Sequence, residues 1–200
     1  MKLYFSETSP YARKVRMVAH EKGLTGQIEL VPQNPMQSDA VLTSANPLAK
    51  IPVLMRDDGP PVFDSAVICE YLNGLAPEPD LYGAKGDPIA VKTRTALADG
   101  IMDASFSLVM ERKRDAAAQS DVWAQRWGDA IARSVDAADR DIASFEGVIT
   151  VDAIGLGAAL GYLDFRLGDL DWRTGRPSLS AWYAVFSQRL GMATTAPPAG

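Results

Sequence analysis

The chain has 200 residues, 47% hydrophobic and 22% charged, with a net charge of -5. That composition belongs to a folded globular protein of one large or two small domains, and it offers no basic field for nucleic acid or for an acidic membrane surface. No apolar run approaches the roughly 20 residues that cross a bilayer, and the first residues read as a strand rather than a signal peptide, so the expected location is cytoplasmic. Cys69 is the single cysteine and falls in an apolar helical pattern, which makes it a core thiol with no disulfide or Cys-x-x-Cys partner. The single histidine, His20, argues against an imidazole triad and against a multi-histidine metal site, so no metal is expected. Gly155-Leu156-Gly157 lies inside a helical stretch, outside the strand-to-helix context of a nucleotide-binding loop.

In chain order, Lys2–Phe5 reads as a strand, Pro10–Lys22 as a helix and Gln27–Val31 as a second strand. After a polar stretch, Val53–Met55, the turn Asp57-Asp58-Gly59 and Pro61–Phe63 read as a hairpin. A helix then opens at Asp64-Ser65 with Val67, Ile68, Tyr71 and Leu72 on its apolar face. This β-α-β-α-β-β-α order describes a thioredoxin-like α/β half, expected over residues 1–77. Pro77, Pro79, Gly83, Gly86 and Pro88 mark a linker, placed at 78–87.

The remainder, 88–200, reads as an all-helical domain with helices over Ile89–Glu111, Asp121–Phe145, Val151–Arg166 and Ser178–Leu190. Thr93, Ala96, Leu97, Gly100, Ile101 and Ala104 form one expected core stripe, and Trp123, Trp127, Ile131 and Val135 another. The glycines and alanines between 155 and 161 predict a central, tightly packed helix. Ala193–Gly200 reads as a loose or draping tail.

Three motifs stand in order: Ser9-Pro10-Tyr11-Ala12-Arg13-Lys14-Val15-Arg16, Asn46-Pro47-Leu48-Ala49-Lys50-Ile51-Pro52-Val53-Leu54 and Phe63-Asp64-Ser65-Ala66-Val67-Ile68. In this order they resemble the cytosolic glutathione S-transferase family, closest to its tau and omega classes and their bacterial relatives. The resemblance covers the whole chain. It implies glutathione as co-substrate with no other cofactor, a small hydrophobic electrophile as second substrate, and a homodimer.

Conjugation needs the thiol as thiolate, and a free thiol is mostly protonated at neutral pH. Ser9 stands at a helix N-terminus, where a hydroxyl and the unpaired main-chain N–H groups favour an anion; the same residue would serve as a plain N-cap. The resemblance makes Ser9 the catalytic residue, places a cis bond before Pro52, and lets Ile51 pair its main chain with glutathione. The other reading of Pro52 is a trans turn proline. Ser65 would bind the γ-glutamyl carboxylate and Asp64 the ammonium group, or the two would simply cap their helix. Lys50 would meet the second carboxylate or remain solvated. Tyr11, Ala12, Ser105, Phe106, Val109 and Met110 would line the electrophile pocket, or belong to the helix core.

One departure from the family pattern is that Thr150 is followed three residues later by Ala153, with Asp152 one position early. Either the capping box is lost or the helix starts in another register. Three functions stay open: a conjugating or peroxide-reducing transferase, an omega-type thiol transferase, and a non-catalytic glutathione-binding or interaction module.

Overall fold

The computed structural model describes residues 1–37, 39–84 and 86–198. Strand β1 (Lys2–Phe5) lies between β2 (Glu29–Pro32), parallel to it, and β3 (Val53–Met55), antiparallel. Leu3 and Phe5 of β1 face the main core with helices α1 (Pro10–Glu21) and α3 (Ser65–Leu75). Tyr4 faces the other side, where Leu42 and Ala45 of α2 (Ala40–Ala45) form a smaller cluster. The alternation of a strand thus divides one tetrapeptide between two layers.

The expected strand Pro61–Phe63 is reduced to one bridge, in which Val62 and Leu54 exchange two main-chain hydrogen bonds of 2.9 Å. The next bonded pairs in that register would be Arg56 with Pro60 and Pro52 with Asp64. Each contains a proline, which has no N–H to give, so the ladder stops after one rung. The direction of the bridge has a larger consequence. β1 ends, β3 begins and the Val62 segment ends at one edge of the sheet, so the N-termini of α1 and α3 and the residues before β3 all meet there.

The second half contains α4 (Pro88–Arg112), α5 (Asp121–Arg140), α6 (Val151–Arg166), α7 (Pro177–Phe186) and α8 (Leu190–Thr194). Among the described residues no helix is long and apolar enough to cross a membrane. The central α6 is buried from Val151 through Leu163. A Cβ on Gly157 would collide with the Phe186 ring, and one on Gly155 would stand 3.2 Å from Ala98 of α4. Close approach of neighbouring helices accounts for the low helix propensity of this segment.

Several sequence expectations change. Asp121–Phe145 is not one helix, because α5 ends at Arg140 and Ile142–Phe145 forms a tight 3-10 turn. Ser178–Leu190 divides into α7 and α8. On α4 the buried face is Val91, Thr95, Ala98, Ile101, Met102, Ser105 and Leu108, leaving Thr93, Ala96 and Gly100 exposed. Of the expected α5 stripe Ile131 and Val135 are core, joined by Ala138, while Trp123 is half in solvent, stacked on Trp127. The tail is not loose at its start, since Ala193 and Thr194 belong to α8 and Thr195 is buried. Ala199 and Gly200 lie outside the described residues.

The helix register at Thr150 is the expected one and the capping box is lost. Thr150 is the N-cap of α6, yet its fully buried Oγ1 has no hydrogen-bond partner among the described residues. Asp152, also fully buried, accepts from Arg94 Nε at 2.6 Å and so ties α6 to α4.

Thr150→Val is therefore expected to leave the melting temperature unchanged or raised, since it removes an unpaired buried hydroxyl rather than a working cap. Asp152→Asn, which removes the charge facing half-buried Arg94, is expected to cost about 1–3 kcal/mol in denaturant titration. Burial pushes the Cys69 thiol from an ordinary 9.0 up to about 12. The unfolded chain releases this proton first, so folding stability falls as pH rises above 9. Between pH 9 and 10, below the ordinary tyrosine range, Cys69→Ala should remove about 1 kcal/mol of this loss, since the unfolded thiol is only half ionised at 9.0; an unchanged loss would contradict the assignment.

Candidate functional site

Ser9 is the N-cap of α1. Its extended backbone lets Oγ accept from the Ala12 N–H at 3.2 Å, while Pro10 occupies the first helical position, where no donor is needed. Among the described residues nothing accepts the Ser9 proton. The hydroxyl is thus oriented by the helix and still has one donor to offer, at the positive end of a 12-residue helix.

The β1–β3 register pairs Tyr4 with Val53, so Pro52 and Ile51 continue alongside the loop that carries Ser9. The Ile51–Pro52 bond is cis. Ile51 is half-buried, and its N–H and C=O make no hydrogen bond among the described residues. The loop before it is held by Asn46, which sequence reasoning missed. Its buried side chain donates to Lys50 O at 2.9 Å and accepts from Leu48 N at 3.0 Å. The only signal was the Asn-Pro dipeptide, a turn former. Lys50 itself is exposed.

At the start of α3, Asp64 is exposed and caps the helix through Ala66 N at 3.0 Å. Ser65 follows, 4% exposed, with neither its hydroxyl nor its N–H bonded among the described residues. Ser9, Ile51 and Ser65 thus stand at one edge of the sheet, offering donors from two helix N-termini and one free strand-like segment.

The second wall differs from expectation. Ala12 is fully enclosed in the core and presents no side-chain surface to a pocket. Ser105 is likewise buried, giving its hydroxyl proton to Ile101 O at 2.6 Å, and Val109 is nearly so. Tyr11 is half-buried, and its hydroxyl donates to the Asp103 carboxylate of α4; burial first, then Asp103, holds the phenol well above its usual range. Phe106 and Met110 lie on α4 one and two turns beyond Asp103, Phe106 exposed and Met110 half-buried. The cleft beside Ser9 is walled by Tyr162 and Phe165 of α6, with Arg13 of α1 and Pro197 of the C-terminal segment. The aromatics escaped the sequence because an aromatic pair at i and i+3 on a helix reads as core.

Behind Ser9, Lys14 is fully buried with Nζ 2.6 Å from Asp99 Oδ1. Burial raises the Asp99 carboxyl above its ordinary range and the lysine charge pulls it partly back. This pair fastens the helix that carries Ser9 to α4.

The family described as "Glutathione S-transferase, N-terminal domain" matches residues 8–75, and "Glutathione S-transferase, C-terminal domain" matches 121–184. The uncharacterized GST-like protein YibF of Escherichia coli is 35% identical over 206 residues, covering 99% of both chains. A glutathione transferase family member from Pseudomonas fluorescens, crystallised with bound glutathione, is 38% identical, with a TM-score of 0.95 over 99% of both chains. A glutathione S-transferase from Methylobacterium radiotolerans in complex with glutathione sulfonate is 33% identical, with a TM-score of 0.91 over 100% of this chain and 95% of that one. A relative this similar along its entire length, together with both domain matches, means that the chain belongs to the glutathione S-transferase family.

Proposed function

We propose that this chain binds glutathione at the edge of the sheet and holds its sulfur as thiolate, for conjugation to hydrophobic electrophiles or reduction of organic hydroperoxides. The observation that carries the reading is the Ser9 hydroxyl, fixed by Ala12 N–H with its own proton free. The relatives crystallised with glutathione and glutathione sulfonate support the choice of ligand.

In this reading residues 1–77 form the glutathione-binding unit, 78–87 the linker and 88–200 the helical domain. The cysteinyl main chain of glutathione pairs with the free N–H and C=O of Ile51, as an added strand would. The γ-glutamyl carboxylate takes the Ser65 hydroxyl and N–H, while the exposed Asp64 carboxylate faces the ammonium group and Lys50 the second carboxylate. Tyr11, Phe106 and Met110, with Tyr162 and Phe165, receive the electrophile.

Serine remains an alcohol throughout: it donates a hydrogen bond to sulfur and forms no bond to substrate. It has no sulfur with which to make a mixed disulfide, so thiol exchange is not part of the proposal. A lone, buried cysteine suits the reducing cytoplasm. A two-fold homodimer belongs to the same reading, supported by the exposed Val67 of α3 and Ile89 of α4 on the face crossed by the Lys92–Glu70 pair.

Ser9→Ala is expected to lower kcat for a model aryl halide by about tenfold to a hundredfold, as when an anion-stabilising donor is lost. The thiol of bound glutathione, followed by thiolate absorbance, should titrate about one pH unit higher. Unchanged kcat and titration would remove Ser9 from the mechanism. Ser65→Ala should weaken glutathione binding by about tenfold in calorimetry through loss of one charge-assisted bond.

A further inference from the structure

The first turn of α1 carries a second device besides Ser9. Arg13 lies one turn beyond Ser9, its main-chain N–H donating to Ser9 O at 3.0 Å. Its guanidinium is buried, 7% exposed, and makes no ion pair with a carboxylate among the described residues. The groups it reaches lie at the far end of the chain: Nη2 donates to Met192 O at 2.9 Å and Nε to Thr195 Oγ1 at 3.4 Å. Thr195 is itself buried and passes its proton to Gly191 O at 2.6 Å. Three residues further on α1, Arg16 Nη2 donates to Thr194 O at 3.3 Å.

Burying a guanidinium against neutral acceptors is costly, and burial lowers the Arg13 pKa accordingly. The fold makes room for it nevertheless. A Cβ on Gly161 of α6 would collide with Arg13 Nη1 and stand 3.0 Å from Tyr183 Oη, so α6 has no side chain where the guanidinium lies. An apolar residue would fill the same space without the desolvation, but it could not fix the direction of a chain end. From Thr195 the chain runs on to Pro197, which walls the cleft with Ser9, Tyr162, Phe165 and Arg13 itself, so the shortened chain separates the wall from any direct effect of Arg13.

We propose that Arg13 is a positioning residue whose guanidinium fastens residues 192–195, so that Pro197 forms a fixed wall over Ser9 and limits the size of the second substrate. The size limit rests on the glutathione reading of the preceding section; the fastening does not. The hydroxyl and the wall facing it are thereby set by the same helical turn.

The test uses three forms of the full protein: Arg13→Gln, Arg13→Lys and a chain ended at Ala196. Hydrogen–deuterium exchange over 190–198 reads the fastening. In Arg13→Gln that segment should exchange about tenfold or more faster, since a charge-assisted bond is lost, with α4 and α6 unchanged. Arg13→Lys, which keeps a donor for Met192 O, should fall between. Calorimetry with glutathione and S-hexylglutathione reads the wall. Arg13→Gln and the shortened chain should both shift the affinity ratio between the two by about threefold or more, with glutathione affinity held within twofold. The shortened chain should keep its protection over 190–195.

Unchanged exchange in Arg13→Gln overturns the fastening, and so does unchanged exchange in Arg13→Lys if the glutamine variant does not fold. An unchanged affinity ratio in the shortened chain overturns the wall. If the parent chain binds neither compound, the glutathione reading fails and the size limit with it, while the exchange measurement still decides the fastening.

Discussion

A lysine with no surface in water is stable only beside a charge of opposite sign, and Lys14 has none of its surface exposed. Its carboxylate, Asp99, comes from α4, on the other side of the boundary between the α/β half and the helical half. Three residues of the first turn and a half of α1 make the same crossing: Tyr11 to Asp103, Arg13 to Met192 and Thr195, Lys14 to Asp99. The apolar residues Ala12, Val15, Val18 and Ala19 join the same core as the sheet. The helix that orients Ser9 is therefore enclosed on both sides, and the two halves of the chain share it. Removing either half would expose polar groups that have no alternative partner.

That arrangement also explains what could be read from the sequence. Periodicity located the helices and the turn residues located the hairpin, because these depend on local steric rules. The three motifs pointed to Ser9, Ile51 and Ser65, and the structure brings them to one edge of the sheet. The error lay in assigning faces. Arg13 and Arg16 read as packing or salt-bridge residues of the first helix, outside the site, and nothing in α1 itself shows where their partners lie. Asp99 and Asp103 stand four residues apart on α4, and nothing around them in the sequence marks them as the partners of Lys14 and Tyr11. Polar residues that meet across a domain boundary leave no periodic signal, so Asp103, Tyr162 and the fastening of the C-terminal segment were invisible. The stripe expected on α4 holds at Ile101 and Ala104 and fails at Thr93, Ala96 and Gly100 for a related reason. Thr93, Ala96 and Gly100 are small enough to look like core, but the α6 and α5 contacts select the face through Ala98, Ile101 and Met102.

Thr150 is the opposite case: the local rule leaves a lost capping box or a shifted register open, and the structure has the first. The capping box needs an acid three residues after the cap, and Ala153 cannot supply one. Asp152 accepts from Ala153 N at 3.0 Å through one carboxylate oxygen and from Arg94 Nε through the other, so one charge serves the helix end and joins α6 to α4. The helix start is held by its neighbours rather than by its cap.

What Ser9 adds to the end of α1 depends on the relative size of two effects. In the proposed mechanism two sources act on a bound thiolate: the N-terminal dipole of the helix and the hydroxyl itself. An end-of-helix field is worth about 0.3–1 kcal/mol near solvent and up to about 2 in partly buried geometry. A hydrogen bond to a charged group contributes about 1.5–3 kcal/mol. The hydroxyl is thus the larger of the two, and Ala12 N–H is what makes it directional, because it occupies one lone pair and leaves the proton to point away from the helix. The dipole alone would favour an anion anywhere over the first turn. A cap whose own proton is free selects one point within that field, and in the proposed mechanism that point is where the sulfur sits.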